Sequence, residues 1–398
     1  MLSVEEARER MLIGLAPMPA ERLPLDRCLG RVPAALSLQA AIDVPPFDNS
    51  AMDGFAVRAV DLPGELRVVG EVAAGAATLL RLEAGTAVRI MTGAPMPPGA
   101  DTVVPVELAT EHADGVVLPA TPRGEYVRSA GHDTAAGSRV DLPGAPLSPA
   151  SIAVLATLGM AAFEVRRRPR VAILSTGDEL VAPGGPLRPG QIYDANSFAL
   201  SAAVTDAGGE PLIQPAVPDD PILIEQRVAA AAAGADLLVV SGGVSVGRHD
   251  HVRDAIERLG TLDFWRIAVQ PGKPLAFGSV AGRPAIGLPG NPVSALVTFE
   301  LFVRPMLRAL LGLAGDGRMR LPVCATQRID KDPDRRAYLR VRVVSDRDGG
   351  LRAEPAGGQG SAQLRPLADA NALLIVPEGV RRTEAGTTYE AILVGAVA

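Results

Sequence analysis

The chain has 398 residues, 47% of them apolar, and a formal net charge of −6 at pH 7. This length predicts two to four domains, and the acidic balance argues against a generic nucleic-acid binder, whose affinity depends on a basic surface. Two isolated cysteines, no basic-then-apolar leader and no apolar stretch of the ~20 residues that span a bilayer lead us to expect a cytoplasmic protein without a membrane segment.

The first part of the chain alternates between helical and β-like patterns. Ser3 and Glu6 resemble a capping box and predict a helix over 4–14. Short β-like runs punctuated by Gly and Pro follow from residue 55 to 142, and an apolar helix follows over 149–158. We therefore predict a small β domain inserted between two helical segments that pack together as one elongated unit. The helical unit comprises 1–43 and 145–166, and the β domain 44–144.

From residue 171 strands alternate with helices, a pattern typical of a doubly wound α/β domain, which we place at 167–316. Its first predicted strand begins near residue 171. The other predicted strands cover 211–217, 236–240, 264–269, 275–279 and 284–288. Its predicted helices cover 197–207, 221–233, 252–259 and 293–311. Residues 317–398 return to short strands with no helix between them, which predicts a C-terminal β barrel or sandwich.

Three strands of the α/β domain end in turns rich in Gly, Ser and acids: 175–179, 241–250 and 288–294. One glycine turn is as often an ordinary connection as an anion cradle. Three turns at the carboxyl ends of strands in one open sheet share an edge, where ligands bind. Backbone N–H groups near Gly242, Gly243 and Gly247 would then meet an anion, helped by the start of a helix at Pro292.

Other polar side chains allow two interpretations each. Glu179 and Asp250 could hold Mg²⁺ on a pyrophosphate through hard oxygen ligands, or could be N-caps or solvated loop acids. Asp53 could present a carboxylate from a tight turn or merely form an Asx turn. His249 and His251 suggest a metal site, although such a pair on a loop without a thiol is more often solvated. Lys273, one of only two lysines, suits an oxyanion.

These stretches together resemble a known family. The motifs lie at 45–56, 89–95, 175–180, 190–196, 241–247, 271–274 and 287–294. In this order, and over essentially the whole chain, they closely resemble the molybdopterin molybdenumtransferase family, which is related to the C-terminal domain of gephyrin. The resemblance implies a four-domain homodimer with an α/β domain of the molybdopterin-binding type. The elongated helical unit, 1–43 and 145–166, would link the domains and dimerise.

The resemblance also implies a reaction. Such a transferase takes adenylylated molybdopterin and molybdate as substrates, with Mg²⁺ as cofactor, and releases AMP and molybdenum cofactor. The active site would lie between the α/β domain of one subunit and the Asp53 segment of the other. A molybdopterin adenylyltransferase and molybdoenzymes would be its protein partners, and neither nucleic acid nor membrane is expected.

The resemblance carries residue roles onto this sequence. The implied catalytic residues are Asp53, Thr92, Asp133, Asp219 and Lys273. The implied Mg²⁺ ligands are Glu179 and Asp250. The implied substrate-binding residues are Ser175, Thr176, Gly177, Asp178, Ser241, Gly242, Gly243, Ser245, Gly247, Arg266, Pro289, Gly290, Asn291, Pro292 and Ser294. Asp53 and Asp219 would orient water or substrate, and Lys273 would attract molybdate or stabilise the leaving AMP.

The sequence also departs from the family pattern. Arg266 and Gln270 stand where lysines are frequent, and His132 stands where an acid often precedes the matched Asp133. Gln270 loses a charge, which bears on molybdate affinity. Two alternatives therefore stay open: a molybdopterin adenylyltransferase, and an altered paralogue that acts as a molybdopterin-binding scaffold.

Overall fold

The computed structural model describes residues 1–75, 80–244 and 251–397. Contacts divide the chain into two compact units: unit 1 comprises residues 1–21 and 166–398, and unit 2 comprises 22–165. Across the described ranges, no helix has the length and apolar character needed to cross a membrane. The finer division into four domains stays a prediction.

Eight α-helices are present in the described ranges. They are α1 Val4–Leu12, α2 Pro149–Thr157, α3 Ala195–Asp206, α4 Pro221–Ala233, α5 His251–Leu259, α6 Pro292–Thr298, α7 Arg304–Leu310 and α8 Arg365–Ala368. A π-helical segment, Phe299–Val303, joins α6 to α7, and single 3₁₀ turns occur at Leu25–Arg27, Ala59–Asp61 and Val106–Leu108.

The strands fall into two series. Up to residue 166 they are β1 Ala20–Pro24, β2 Ser37–Gln39, β3 Asn49–Ser50, β4 Gly54–Val57, β5 Gly64–Val72, β6 Thr86–Ile90, β7 Thr102–Pro105, β8 Thr110–Glu111, β9 Val116–Leu118, β10 Val127–Arg128, β11 Arg139–Asp141 and β12 Ala162–Arg166. After residue 166 they are β13 Arg170–Ser175, β14 Leu180–Val181, β15 Ile192–Tyr193, β16 Glu210–Ile213, β17 Leu237–Ser241, β18 Gly260–Trp265, β19 Val269–Gln270, β20 Ala276–Val280, β21 Arg283–Leu288, β22 Arg320–Ala325, β23 Arg336–Ser345, β24 Leu351–Pro355, β25 Ala372–Val376 and β26 Thr388–Leu393.

Unit 2 is built around a six-stranded sheet in the order β7-β4-β6-β5-β9-β8. Successive residues of β4 point to opposite faces, so Phe55 and Val57 join one apolar cluster and Ala56 joins another. The pairs β2-β11 and β3-β10 extend the β structure. The all-β character predicted for this region is therefore confirmed.

The α/β sheet of unit 1 has the order β16-β13-β17-β21-β20-β18. The first four strands are parallel, and β20 is antiparallel to them. The edge strand β18 pairs antiparallel with β20 and so runs in the same direction as the first four strands. The chain runs from β13 outward to β16 and then returns to the other side of β13 for β17. The strand order therefore reverses between β13 and β17, which makes their carboxyl ends the expected ligand crevice.

Register brings three strand ends to the same level. Ser175 of β13 pairs with Ser241 of β17, and Ser241 pairs with Leu288 of β21. Neighbouring strands lie about 4.8 Å apart, so the turns that follow these three residues leave the sheet side by side.

Helices cover both faces of this sheet, as predicted for a doubly wound domain. Val171 and Ile173 point into a core shared with α1, α3, α6 and α7. Ala172 and Leu174 point into a second core with α4 and α5. Because both faces are buried, the parallel strands read as continuous apolar runs rather than as alternating patterns.

The predicted long helix over 293–311 is present but contains the π-helical segment. Pro305 lacks an N–H, so the carbonyl of Leu301 has no regular α-helical donor. The Nε of Arg8, on α1, donates to that carbonyl at 3.2 Å. The capping box of α1 is confirmed, because Ser3 and Glu6 exchange both hydrogen bonds.

The C-terminal region is a closed five-stranded barrel in the order β23-β24-β22-β26-β25, with β25 pairing back to β23. Two predictions fail here. α8 is one helical turn between strands where none was expected, and the predicted strand 264–269 is instead β18 plus the separate β19. Arg266 has a φ of 106° and interrupts the strand, after which β19 joins the barrel sheet through β23.

Glu300, in the π-helical segment, is at the centre of a network of ion pairs with Arg304 and Arg318. Its carboxylate accepts from Arg304 Nε at 2.7 Å and from Arg318 Nε at 2.9 Å. Burial raises the pKa of Glu300, but the hydrogen bonds and charges of the two arginines outweigh it and lower the pKa. We expect Glu300→Gln to destabilise unit 1 by about 2–4 kcal/mol, because Arg304 and Arg318 must then share the more exposed carboxylate of Asp206 as their anionic partner.

The same change has a defined pH dependence. A lowered folded-state pKa stabilises the protein above the unfolded pKa of about 4.3, and this stabilisation is lost as pH falls through the folded pKa. The melting-temperature gap between wild type and Glu300→Gln should therefore shrink in acid. Glu210→Gln, at an exposed ion pair, is the matched control and should change little. A gap that is independent of pH would contradict the proposed role of the charge.

Candidate functional site

A cleft of about 580 Å³ opens at the carboxyl ends of β13, β17 and β21. It is lined by Thr176, Gly177, Glu179, Leu180, Ile192, Tyr193, Asp194, Ala195, Asn196, Asp219, Ser241, Gly242, Gly243, Val244, Pro274, Pro289, Gly290, Asn291, Pro292 and Ala362. All three turns predicted from sequence contribute residues. The cleft thus lies at the crevice where the strand order reverses.

The glycines of the central turn make room for the turn beside it. Gly242 has a φ of 97°, and a Cβ there would lie 2.6 Å from the carbonyl oxygen of Thr176. Gly243 has a φ of 64°, and a Cβ there would lie 2.6 Å from Val252 and 3.1 Å from Thr176 Oγ1. Only glycine fits both the backbone conformation and the space.

Several backbone donors of these turns are already engaged. The N–H of Thr176 donates to Ser241, that of Gly177 to Val217, and that of Gly242 to Leu288. These three groups hold the turns to the sheet, so they do not supply the anion contacts that the sequence suggested. The Thr176 hydroxyl is a better candidate, because Oγ1 is buried without a hydrogen-bond partner among the described residues.

A buried carboxylate that sequence analysis missed supports the first turn. Asp194 is only 6% exposed and N-caps α3 by accepting from the Ser197 N–H at 3.0 Å. It also accepts from the hydroxyls of Ser197, at 2.5 Å, and Ser175, at 3.2 Å. The helix was predicted to begin at 197, two residues late, which hid the Asp-x-x-Ser cap that could have revealed this residue.

Asn196 is a second residue that sequence analysis did not assign to the site. Its Nδ2 donates to Ser241 Oγ and to the carbonyl of Gly290, both at 2.7 Å. Its Oδ1 is buried and has no partner within the described ranges. One carboxamide therefore connects two of the three turns.

Two acids line the cleft. Glu179 lies at the end of the first turn, and Asp219 follows the end of β16. The Asp219 N–H donates to Asp178 Oδ1 at 3.1 Å, so Asp178 holds the Asp219 segment beside the first turn. In the described part of the chain, no three His, Cys, Asp or Glu side chains gather as a metal cluster.

The C-terminal barrel also reaches this cleft. Asn291 Nδ2 donates to Ser361 Oγ at 3.0 Å, and the adjacent Ala362 lines the cleft. The fully buried Arg340 holds this loop by donating from Nη2 to the carbonyls of Gly358 and Gly360. Nothing in the local sequence connects residues 358–362 with the α/β turns, because the contact depends on packing between distant segments.

Three predicted catalytic residues belong to unit 2. The Thr92 N–H and hydroxyl both donate to Asp53 Oδ1, at 2.6 and 2.7 Å. The backbone hydrogen bond from Thr92, followed by the side-chain one, lowers the pKa of Asp53. Asp133 lies on a separate turn, where its N–H donates to Val44. The Asp53 turn is thus bound to Thr92 rather than closed on itself.

The remaining predicted residues are placed as follows. Ser175 and Ser294 are buried, and neither they nor Asp178, Arg266 and Lys273 are among the residues that line the cleft. Lys273 precedes Pro274, which does line it, and Gln270 accepts a hydrogen bond from the Asp332 N–H. Ser245, Gly247, His249 and Asp250 lie outside the described residues.

Comparison with known proteins extends over the whole chain. Residues 2–159 match the MoeA N-terminal region (domain I and II), 172–309 a probable molybdopterin binding domain, and 322–394 the MoeA C-terminal region (domain IV). Molybdopterin molybdenumtransferase 2 of Mycobacterium tuberculosis is 42% identical, covering 92% of this chain and 93% of the relative. Molybdopterin molybdenumtransferase of Haemophilus influenzae is 37% identical, covering 98% and 97%.

A solved structure has the same architecture. The crystal structure of a molybdopterin biosynthesis MoeA protein from Pyrococcus horikosii superposes with a TM-score of 0.86, at 33% identity, and covers 99% of both chains. The fold has a central α/β domain of the molybdopterin-binding type, and the full-length relatives place the chain among transferases. The chain belongs to the molybdopterin molybdenumtransferase family.

The close approach of two turns gives a prediction. We expect Gly242→Ala to lower stability by about 2–4 kcal/mol, because the new Cβ meets the Thr176 carbonyl at a φ that L side chains avoid. Gly290→Ala is the matched control from the neighbouring turn, since a Cβ there meets only Gly242 Cα, at 3.6 Å. Thermal unfolding measures the stability of both variants. Equal melting temperatures would contradict the close packing of the Gly242 turn against the Thr176 turn.

Proposed function

We propose that this protein inserts molybdenum from molybdate into adenylylated molybdopterin and releases AMP and molybdenum cofactor. The observation that carries the proposal is the cleft where the three turns meet, in a chain whose full-length relatives are named molybdopterin molybdenumtransferases. The adenylyltransferase alternative is not favoured, because the likeness to the transferases also covers 2–159 and 322–394, beyond the α/β domain.

Binding would use side-chain groups more than the glycine N–H groups. The Thr176 hydroxyl offers a donor to a phosphate oxygen from a buried position. The carboxylates of Glu179 and Asp219 on the same cleft would repel a bare pyrophosphate, so the substrate needs a counter-charge there. Lys273, beside the lining residue Pro274, is our proposed cation for molybdate or the leaving AMP.

The donor set of the cleft fits Mg²⁺. Carboxylate and hydroxyl oxygens of Glu179, Asp219 and Thr176 line it, and Mg²⁺ is usually held by one or two carboxylates plus substrate phosphates rather than by a closed protein cage. We propose Glu179 as a ligand, with Asp250 as the second. When bound, Mg²⁺ would neutralise the pyrophosphate charge.

We further propose a homodimer in which the Asp53 turn of one subunit completes the cleft of the other. The support is that the Asp53 turn belongs to the motif at 45–56 that resembles the family, and that Thr92 holds the Asp53 carboxylate through two hydrogen bonds. The lowered pKa keeps Asp53 ionised at neutral pH, as a group that orients water or substrate requires. A molybdopterin adenylyltransferase and molybdoenzymes are the protein partners that the proposed reaction implies.

The activity can be tested directly. Purified protein given adenylylated molybdopterin, molybdate and Mg²⁺ should release AMP, and chelation of Mg²⁺ should stop the release. Glu179→Gln should reduce the rate by about 100-fold or more, because it removes a negative ligand of the cleft. Glu210→Gln, at an exposed ion pair away from the cleft, should retain activity. Consumption of ATP with metal-free molybdopterin, without AMP release from the adenylylated substrate, would instead indicate an adenylyltransferase.

The shared site has its own test. Asp53→Ala and Glu179→Ala should each be inactive alone, because every site lacks one acid. Random mixing of the two variants makes about half of the dimers mixed, each with one intact site, so about a quarter of the wild-type rate should return. If mixed dimers form but no activity returns, both acids act within one subunit and the shared-site proposal is wrong.

A further inference from the structure

Asn196 occupies the first turn of α3 and contacts both turns that follow β17 and β21. Its Nδ2 donates to Ser241 Oγ and to the carbonyl of Gly290, at 2.7 Å each. One side chain on a rigid helix thereby holds two segments that belong to different loops.

The two turns need such a connection. Ladder pairing between β17 and β21 ends at Ser241 and Leu288, followed by one hydrogen bond from the Gly242 N–H to Leu288. Beyond it, the Ser241 hydroxyl lies 3.5 Å from the Pro289 carbonyl, which is long for an O–H···O bond. The Asn196 bonds are the short links between the turns in the part of the chain that the structure describes.

The orientation of the Asn196 carboxamide is determined by the acceptor that it faces. The Gly290 carbonyl can only accept, so the group facing it must be the NH₂. In this orientation Oδ1 is buried without a partner among the described residues, an arrangement that costs free energy. The fold therefore accepts an unsatisfied oxygen in order to keep two bridging donors.

We propose that Asn196 is a positioning residue that fixes the 289–292 turn against the 241–243 turn, so that the substrate's phosphates meet a preformed cleft. The inference rests on the proposed function for the identity of the ligand. It predicts that the donors of Asn196, and not its volume, determine anion affinity, because preorganisation reduces the cost of ordering a loop on binding.

The experiment compares Asn196→Leu, which keeps the branched shape and the number of non-hydrogen side-chain atoms, with Asn196→Ala. The probe is inorganic pyrophosphate with Mg²⁺, measured by titration calorimetry. Loss of two hydrogen bonds that organise the site should raise Kd about tenfold in both variants. Asn371→Ala is the matched control, because Asn371 bridges Val343 and Ala396 in the barrel. It should lower the melting temperature without changing Kd.

A double-mutant cycle with Ser241→Ala gives a second measurement that does not depend on the Leu variant folding. Asn196 and Ser241 share a hydrogen bond, so the effect of Asn196→Ala on Kd should be smaller in the Ser241→Ala background. Wild-type Kd in Asn196→Leu, or strictly additive effects in the cycle, would overturn the inference.

Failure of the inference is distinct from failure of the proposed function. A wild-type protein that releases AMP while Asn196→Leu binds pyrophosphate normally would retain the function and reject the positioning role. A protein that releases no AMP but loses pyrophosphate affinity in both Asn196 variants would reject the function and retain the role.

Discussion

The arrangement of the site depends on one constraint, the register of three parallel strands. Pairing of Ser175 with Ser241 and of Ser241 with Leu288 sets the starting points of three turns side by side. A slip of one residue would send each side chain to the opposite face of a sheet that is buried on both sides, and apolar packing on those faces prevents this. Core packing thus determines where the polar groups of the cleft stand.

The glycines of the cleft have a different role from those of a simple anion cradle. They allow the turns to pack closely, and polar side chains are left to contact a ligand. Gly242 and Gly243 let the Thr176 turn approach closely, and the N–H groups of Thr176, Gly177 and Gly242 hold the turns to the sheet. Unsatisfied atoms remain at Thr176 Oγ1 and Asn196 Oδ1 within the described ranges. Buried polar groups usually find partners, so the places where they do not are where a ligand or a bridging role is expected.

Much of the fold could be predicted from sequence. Periodicity gave the strands and helices of the α/β domain, and the capping box gave the start of α1, because both follow from local rules. The wrong predictions lie where contacts between segments distant in sequence determine the structure. The carbonyl of Leu301 is satisfied by Arg8 from another helix, and residues 269–270 leave the α/β sheet to pair with the barrel. Asp194 and Asn196 lie in a motif that the sequence analysis noted, but their roles follow only from their partners in the fold.

The sequence by itself determined the α/β pattern, the three turns and the motifs that resemble one family. These depend on residue type and spacing, which a chain carries without folding. Only the tertiary structure decided that β13 and β17 flank the crevice, that the barrel loop at Ser361 meets Asn291, and that Asn196 bridges Ser241 and Gly290. The reason is physical: a hydrogen bond between residues 45 or 94 positions apart is set by how strands and helices pack, and no local preference encodes it.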